Sequence, residues 1–308
     1  MNYTGGGRFD RSVGPVYFLA QQARRMLMLT GEHKWHLLES MHYPQPNSPV
    51  WNRIQTELSN GLQLLVDSGV FMLLQQWRST RGMTWSQALA VPPPNISGFD
   101  KLRAKYIEIV RLQEDKLWGY IEIDLGGSDW KRRIRRELES EGLRPIPVYH
   151  PLVDPPEYFD ELCSGYDRVC VGNLAKTADD GTYLPLMEWV FKRRSQYPHV
   201  WIHLLGHAVL PTLFAWEANS IDASSWMTDV IYGHGIRERA AGAPMRKLGR
   251  PWVYNRSTEA DSETGEDKAM KVAAHVAHYQ HENWRTISKR FREVGLHRGE
   301  GTDAFPLS

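Results

Sequence analysis

The chain has 308 residues, 42% of them hydrophobic and 24% charged, and a formal net charge of +1. This near-neutral balance excludes a global basic field, so any contact with nucleic acid must come from local clusters of lysine and arginine. No segment approaches the roughly 18 consecutive apolar residues of a membrane span, and the opening MNYTGGGRFDRSVG lacks the apolar core of a secretion signal. These features predict a soluble, cytoplasmic protein without a membrane partner.

From residue 35 onward, short apolar runs alternate with longer helical patterns, which is typical of βα units and a parallel sheet. The predicted strands are 35–39, 63–66, 119–123, 146–149, 168–171, 200–204 and 220–222, with another near 251–254. The predicted helices between them include 102–113, 129–140, 157–163, 184–195 and 212–218.

This alternation predicts an α/β fold, a single (β/α)8 (TIM) barrel, which commonly takes roughly 250 residues. The alternative is a doubly wound open sheet, but no G-x-G-x-x-G follows the first predicted strand. We expect an N-terminal extension at 1–34, the barrel at 35–257, and an acidic loop with a C-terminal helix packed on the barrel at 258–308. A long loop is expected at 83–94, over the end of the second predicted strand.

The cysteine and histidine patterns predict no metal site and no cofactor. The only cysteines, Cys163 and Cys170, fall on a predicted helix and a predicted strand, which argues against a disulfide framework and a cysteine-based zinc site. The histidines at 275, 278 and 281 are spaced by three, and this spacing drifts around a helix instead of keeping to one face.

Three aspartates follow predicted strands. Asp67 follows LQLLV, Asp124 follows GYIEI, and Asp222 lies in SIDASSW. A polar residue just past the carboxyl end of a barrel strand points into the mouth where active sites lie. One such aspartate more often caps a turn or a helix, but three at equivalent strand ends predict carboxylates that converge on one site.

The neighbouring residues favour a planar ligand. The motif DSGVF places Ser68 and Gly69 beside the first aspartate, where glycine allows close approach to the backbone, and Phe71 can stack on a flat ring. Later strand ends offer backbone amides and one side-chain amide at Gly172, Asn173, Leu205 and Gly206. This inventory fits a heterocycle with donor and acceptor edges better than a sugar phosphate.

The motifs DSGVF, YIEIDLG, VGNLA, HLLG and SIDASSW, in this order, resemble the tRNA-guanine transglycosylase superfamily over about residues 35–230. The chain lacks that superfamily's cysteine-rich zinc site, and it has Ala-Ser-Ser-Trp where the tRNA enzymes often have Pro-Thr-Arg. It is therefore most similar to the phage-type branch, relatives of the queuosine enzymes that put 7-deazaguanine bases into DNA. The resemblance implies a pentosyltransferase acting in a bacterial host cell.

The resemblance also implies roles for individual residues. Asp222 would be the nucleophile, Asp67 the general acid/base, and Asp124 the acceptor for the guanine edge. Further contacts with the base are implied at Ser68, Gly69, Phe71, His150, Gly172, Asn173, Leu205 and Gly206, with His150 standing where many relatives have glutamine. Because the two acids need different environments, we expect Asp67 to be the more desolvated and to have the higher pKa.

Basic residues after the nucleophile are predicted to contact nucleic-acid phosphates: Arg237, Arg239, Arg246, Lys247 and Arg250. The denser clusters 131–136 (KRRIRR) and 192–194 are open to two interpretations, as phosphate contacts or as solvated helix faces. Two alternative functions also stay open, the same base exchange on tRNA and a non-catalytic nucleic-acid-binding subunit. A partner protein or a homodimer is compatible with all of these.

Overall fold

The computed structural model describes residues 9, 16–20, 36–40, 48–173, 183–207, 218–223, 237–238 and 246–247. The parallel strands of this part are β1 (Val16–Ala20), β2 (His36–Ser40), β3 (Gln63–Asp67), β4 (Gly119–Tyr120), β5 (Val148–Tyr149), β6 (Arg168–Val171), β7 (Trp201–Leu204) and β8 (Ser220–Ala223). Its α-helices are α1 (Pro49–Ser59), α2 (Val70–Ser79), α3 (Trp85–Leu89), α4 (Phe99–Gln113), α5 (Gly127–Ser140), α6 (Pro156–Gly165) and α7 (Tyr183–Arg194).

The eight strands lie in the order β4-β3-β2-β1-β8-β7-β6-β5, and their pairings are parallel. One parallel bridge, between Ile121 and Ile146, joins the two edge strands. At this bridge the Ile146 N–H donates to Tyr120 O at 2.7 Å, and the Glu122 N–H donates to Ile146 O at 2.9 Å. The predicted (β/α)8 barrel is confirmed, and the ring of strands meets at this bridge.

The expected N-terminal extension is wrong at β1, which is a barrel strand between β2 and β8. Leu19 pairs with Leu37, and Phe18 pairs with Asp222. The run VYFLA is apolar without alternation, and periodicity alone does not identify so short a run as a strand. The strand predicted near 251–254, the acidic loop and the C-terminal helix lie outside the described residues.

The strands alternate their side chains between the ring interior and the surrounding helices, as β geometry requires. On β3, Leu64 and Val66 pack in the outer core under the helices, whereas Leu65 packs inside the ring.

The segment 83–94, expected to be a loop, instead contains α3, which begins with a capping box between Thr84 and Gln87.

Aromatic rings fill the amino end of the ring. Phe9 makes edge contacts at 5.0 Å with both Trp118 and Trp201. The buried Arg168 lies with its Cζ 4.5 Å from the centre of the Phe9 ring and donates to Trp118 O at 3.1 Å. Because aromatic side chains fill the amino end of the ring, a ligand-binding site is expected at the carboxyl end.

No helix within the described ranges has the length and apolar character to cross a bilayer.

Candidate active site

The structure brings the three predicted aspartates together at the carboxyl end of the ring. Asp67 is the last residue of β3, Asp222 lies in β8, and Asp124 follows β4. The charges of Asp124 and Asp222 both act on Asp67. Carboxylates that share a site in this way titrate at different pH values, because like charges resist simultaneous ionisation.

Asp67 has the environment of a group that exchanges protons near neutral pH. Burial, followed by the charges of Asp124 and Asp222, raises its pKa from 3.8 to about 7. Hydrogen bonds from the Gly69 N–H, 3.2 Å from Oδ2, and from the Ser40 side chain oppose this rise without cancelling it. A carboxyl group with this pKa can donate a proton in one step and accept one in the next.

The pKa of Asp124 shifts in the opposite direction and is lowered. Burial alone would raise its pKa, but the hydrogen bond and charge of His150, together with the charge of Lys131, produce a net lowering. His150 Nε2 lies 2.9 Å from Asp124 Oδ2, and the imidazole is buried. Asp124 is therefore favoured as an ionised acceptor beside the proton-exchanging Asp67.

Gly172 makes room for this histidine. A Cβ atom at Gly172 would lie 2.8 Å from both Cδ2 and Nε2 of His150, closer than such atoms approach. The next residue, Asn173, adopts a left-handed backbone with φ of 62°, a conformation that asparagine tolerates better than most residues. Any larger residue at 172 would displace the imidazole from Asp124.

Buried charges also hold the end of β5, which carries His150. Lys131 and Asp154 form a fully buried ion pair, and Asp154 Oδ2 accepts the His150 N–H at 2.6 Å. Lys131 Nζ donates to Val148 O at 2.8 Å, and Glu122 accepts the Val148 N–H at 2.6 Å. These side chains satisfy the backbone of β5 where β4 and β5 have only one bridge between them.

Asp222 is held through one oxygen. Its Oδ1 lies 3.0 Å from the Gly206 N–H donor and 3.1 Å from His203 Nε2. His203 Nδ1 in turn lies 2.9 Å from Ser220 Oγ. Sequence reasoning missed His203 and Ser220. His203, on β7, lies two residues before Leu205, and Ser220, on β8, lies two residues before Asp222. Residues two apart on a strand face the same side, and this spacing was the signal that could have found them.

His207 is a second histidine that sequence reasoning missed. It is 2% exposed, its ring stacks on Tyr183, and it senses the charges of Asp222 and His203. Its Nδ1 lies 2.9 Å from the Leu205 carbonyl, which can only accept, so Nδ1 carries a proton. Burial lowers the pKa of His207. The neutral ring therefore presents Nε2 as an acceptor, for which the described residues supply no hydrogen-bond partner.

The DSGVF residues divide between the site and the scaffold. Ser68 is completely buried and accepts the Val70 N–H at 3.5 Å, so its burial assigns it to the turn and does not support the predicted base contact. Gly69 has φ of 83° at the start of α2. Phe71 is 40% exposed and stacks on Trp85, with ring centres 5.0 Å apart. Leu205 is half-buried and Gly206 exposed at the end of β7.

Four of the five basic side chains in the KRRIRR cluster form ion pairs with carboxylates. Lys131 and Arg135 point inward, and Arg135 pairs with Glu122 at 2.6 Å. Arg132 pairs with Glu161 at 2.6 Å. Further outward pairs join Arg133 to Glu137 and Arg193 to Asp160. This pairing argues against phosphate contact: Arg132, Arg133 and Arg193 form ion pairs on the helix surfaces, whereas Lys131 and Arg135 are buried.

The five predicted nucleic-acid residues belong to a segment that the structure describes only in part, with Arg237, Arg246 and Lys247 among the described residues. Arg237–Glu238 pairs antiparallel with Arg246–Lys247, which sets Lys247 opposite Arg237 in a two-stranded ribbon. Arg239 and Arg250 lie outside the described residues. Within the described part, no three His, Cys, Asp or Glu side chains are grouped as metal ligands. The phosphate contacts of these basic residues stay a prediction.

Comparison with known proteins identifies no family. No family model and no curated protein matches the chain. Solved structures that match include a chain from Aquifex aeolicus VF5, 10% identical, with a TM-score of 0.41 over 92% of this chain and 94% of that one. Another is nitroalkane oxidase from Streptomyces ansochromogenes, 13% identical, with a TM-score of 0.40 over 95% and 92% of the two chains.

Proposed function

We propose that this protein exchanges guanine for a 7-deazaguanine base, such as 7-cyano-7-deazaguanine, in DNA through a covalent aspartyl intermediate. The observation that carries the proposal is the set of three carboxylates at one barrel mouth with opposed properties. The pKa of Asp67 is raised to about 7, whereas that of Asp124 is lowered. Asp222, on β8, is held through Oδ1 by His203 Nε2 of the adjacent β7 and by the Gly206 N–H that follows β7.

The exchange takes two displacements. In the first, a carboxylate oxygen of Asp222 attacks C1′ of the deoxyribose, the C1′–N9 bond breaks, and Asp67 gives its proton to the departing guanine. In the second, Asp67 takes the N9 proton of the incoming base, N9 attacks C1′, and the ester bond to Asp222 breaks. The glycosyl-enzyme keeps the strand intact between the steps, as in a retaining glycosidase.

Recognition of the base falls to Asp124. The N1–H and N2–H groups of guanine and of 7-deazaguanines are neighbouring donors, which an ionised carboxylate accepts. His150 already donates to Oδ2 of Asp124, which fixes the plane of the carboxylate. Phe71, four residues after Asp67, is 40% exposed with its ring stacked on Trp85, and the resemblance assigns it to stacking on a base flipped out of the duplex.

We prefer DNA to tRNA as the substrate because the chain lacks two features of the tRNA enzymes that it resembles. The two cysteines of the chain, Cys163 and Cys170, are both buried thiols, whereas the tRNA enzymes it resembles carry a cysteine-rich zinc site. The stretch Ala-Ser-Ser-Trp after Asp222 also departs from the Pro-Thr-Arg of those enzymes. The same chemistry on tRNA is the alternative that the experiment has to separate.

The test is a covalent trap. End-labelled DNA and tRNA are each incubated with the protein without an incoming base, and a band that resists denaturing electrophoresis is measured. We expect an adduct with DNA, none for Asp222→Asn, and a slow one for Asp67→Asn, which keeps the nucleophile but loses the proton donor. The matched control is Asp129→Asn, whose side chain is 93% exposed on α5; it should behave as wild type.

Three outcomes would overturn parts of the proposal. An adduct in the Asp222→Asn protein would move the nucleophile to another residue. An adduct with tRNA alone would replace the DNA substrate. No adduct with either nucleic acid, together with no incorporation of labelled guanine, would reject the transglycosylase function.

A further inference from the structure

The carboxylate of Asp222 stands at the end of a chain of hydrogen bonds that crosses the ring interior. Trp201 Nε1 donates to Ser220 Oγ at 2.7 Å, Ser220 Oγ lies 2.9 Å from His203 Nδ1, and His203 Nε2 lies 3.1 Å from Asp222 Oδ1. Trp201, His203, Ser220 and Asp222 are all buried. They alternate between β7 and β8, which are adjacent parallel strands.

The donors and acceptors in this chain leave one consistent arrangement when the imidazole is neutral. An ionised Asp222 can only accept, so His203 must carry its proton on Nε2. His203 Nδ1 is then a bare acceptor and requires a donor, which the Ser220 hydroxyl provides. The Trp201 indole N–H can only donate, and it satisfies a lone pair of the same hydroxyl. Each proton in the chain thus points toward Asp222.

The consequence for Asp222 is that its two oxygens differ. Oδ1 accepts from His203 Nε2 and from the Gly206 N–H. No residue in the described part of the chain hydrogen-bonds Oδ2, so this is the oxygen left to attack. A carboxylate held through two bonds on one oxygen loses its freedom to rotate, and geometric restraint of this kind is a large part of catalytic rate.

We infer that His203 is a positioning residue that holds Asp222 Oδ1 and thereby presents Oδ2 to C1′ of the nucleotide. This inference rests on the proposed function. In the ester, Oδ1 becomes the carbonyl oxygen and still accepts from His203 and Gly206. When the incoming base displaces the ester, negative charge returns to the carboxylate with both donors already in place.

Two amide substitutions separate this role from packing. The amide nitrogen of His203→Gln can reach the position of Nε2 and keep a donor on Asp222, whereas the shorter amide of His203→Asn reaches only the position of Nδ1, near Ser220. Both are polar, so loss of packing against Phe18, whose ring centre lies 5.6 Å away, affects both. We expect His203→Asn to slow adduct formation about 10- to 100-fold, the size of a lost hydrogen bond to a charged group.

The measurements are the single-turnover rate of adduct formation, the dissociation constant for the oligonucleotide, and the urea midpoint of each variant. We expect the Asn variant to bind normally but react slowly, and the Gln variant to recover most of the rate. Ser220→Ala, which removes the donor to Nδ1 but keeps the imidazole, should slow the reaction about 3- to 10-fold, as expected for a neutral hydrogen bond. This third variant keeps the test informative if a His203 variant does not fold.

The outcomes distinguish the inference from the function on which it rests. Wild-type adduct with equal rates in His203→Asn and wild type would reject the positioning role and leave the transglycosylase intact. Equal losses in the Asn and Gln variants that track their urea midpoints would reduce His203 to a packing residue. No adduct in wild type would reject the proposed function, and the inference with it.

Discussion

The two ends of the barrel interior are built on the same eight strands and have opposite chemistry. At the amino end, Phe9, Trp118 and Trp201 fill the ring with edge-to-face contacts. At the carboxyl end, Asp222 contacts His203, Asp124 contacts His150, and the pKa of Asp67 is raised mainly by burial. One end gains free energy of folding from packed apolar area, whereas the other holds ionisable groups where ionisation is costly.

This contrast separates stability from activity along a single axis. A substitution at the aromatic end that keeps the Trp201 indole in place should change the free energy of unfolding and leave the chemistry intact in the folded fraction. A substitution at the carboxylate end should change the chemistry, and its effect on stability should depend on which ionisation state the fold favours at that position. Each of the following predictions tests one side of this division.

The largest effect on stability is expected at the closed end. Trp118→Ala should lower the free energy of unfolding by about 3 to 5 kcal/mol, because it leaves a cavity among the rings of Phe9, Phe18 and Trp201. Urea denaturation at constant pH measures this loss. The matched control is Trp77→Ala on α2, a half-buried tryptophan at the surface, where the loss should be smaller. Equal losses in the two variants would remove the special role of the amino end.

A pH-dependent effect is expected at Asp67. The folded protein holds the Asp67 proton up to about pH 7, whereas the unfolded chain loses it near pH 3.8. The contribution of Asp67 to stability therefore falls as pH rises from about 4 to 7 and is constant above that range. Asp67→Asn removes this dependence. Its stability relative to wild type should rise across that range by at most about 4 kcal/mol.

The control for this titration is a carboxylate with the opposite shift. Asp124 has a lowered pKa, so its ionised form contributes stability above the ordinary aspartate pKa, and this contribution is lost as pH falls through the folded-state value. The difference between Asp124→Asn and wild type should therefore change with pH in the opposite direction. Urea midpoints at half-unit pH steps measure both series, and curves of the same sign would contradict the division of the two carboxylates.

The smallest predicted effect concerns recognition at the open end. Asp124→Asn presents one donor where the proposed guanine edge needs two acceptors, a buried mismatch that costs about 1 to 3 kcal/mol. Incorporation of labelled guanine into DNA should weaken by the corresponding factor, while Asp129→Asn keeps the wild-type rate. Near-normal exchange in the Asp124→Asn protein would remove this residue from the base pocket.

The sequence predicted most of the barrel because its signals are local. Apolar runs at 63–66 and 168–171 correspond to β3 and β6, and Asp67 follows directly on such a run. The strand it missed, β1, is equally apolar and follows the turn dipeptide Gly14-Pro15, but the short run VYFLA has no alternation that would identify it as a strand. A five-residue apolar run does not distinguish a strand from part of a helix until its neighbours are known.

The charge pattern of the sequence did not show which basic side chains of a helix face solvent and which face the protein interior. Lys131 and Arg135 belong to KRRIRR, which reads as a surface cluster, yet both are buried on the inner face of α5. The partners that compensate them, Asp154 and Glu122, come from later and earlier βα units. No local rule connects these pairs, because burial of a lysine is decided by whether the fold brings a carboxylate to it.

The sequence by itself determined that three aspartates lie at or near the carboxyl ends of strands, because each lies at the end of a short apolar run that predicts a strand. It also determined the chemistry of those ends, since residue type is local. Only the tertiary structure decided what each carboxylate touches. Asp222 contacts His203 because β7 and β8 are adjacent in a particular register, and Asp67 has a raised pKa because the fold buries it and places Asp124 and Asp222 around it. Contacts across strands depend on register and closure, which are properties of the whole ring.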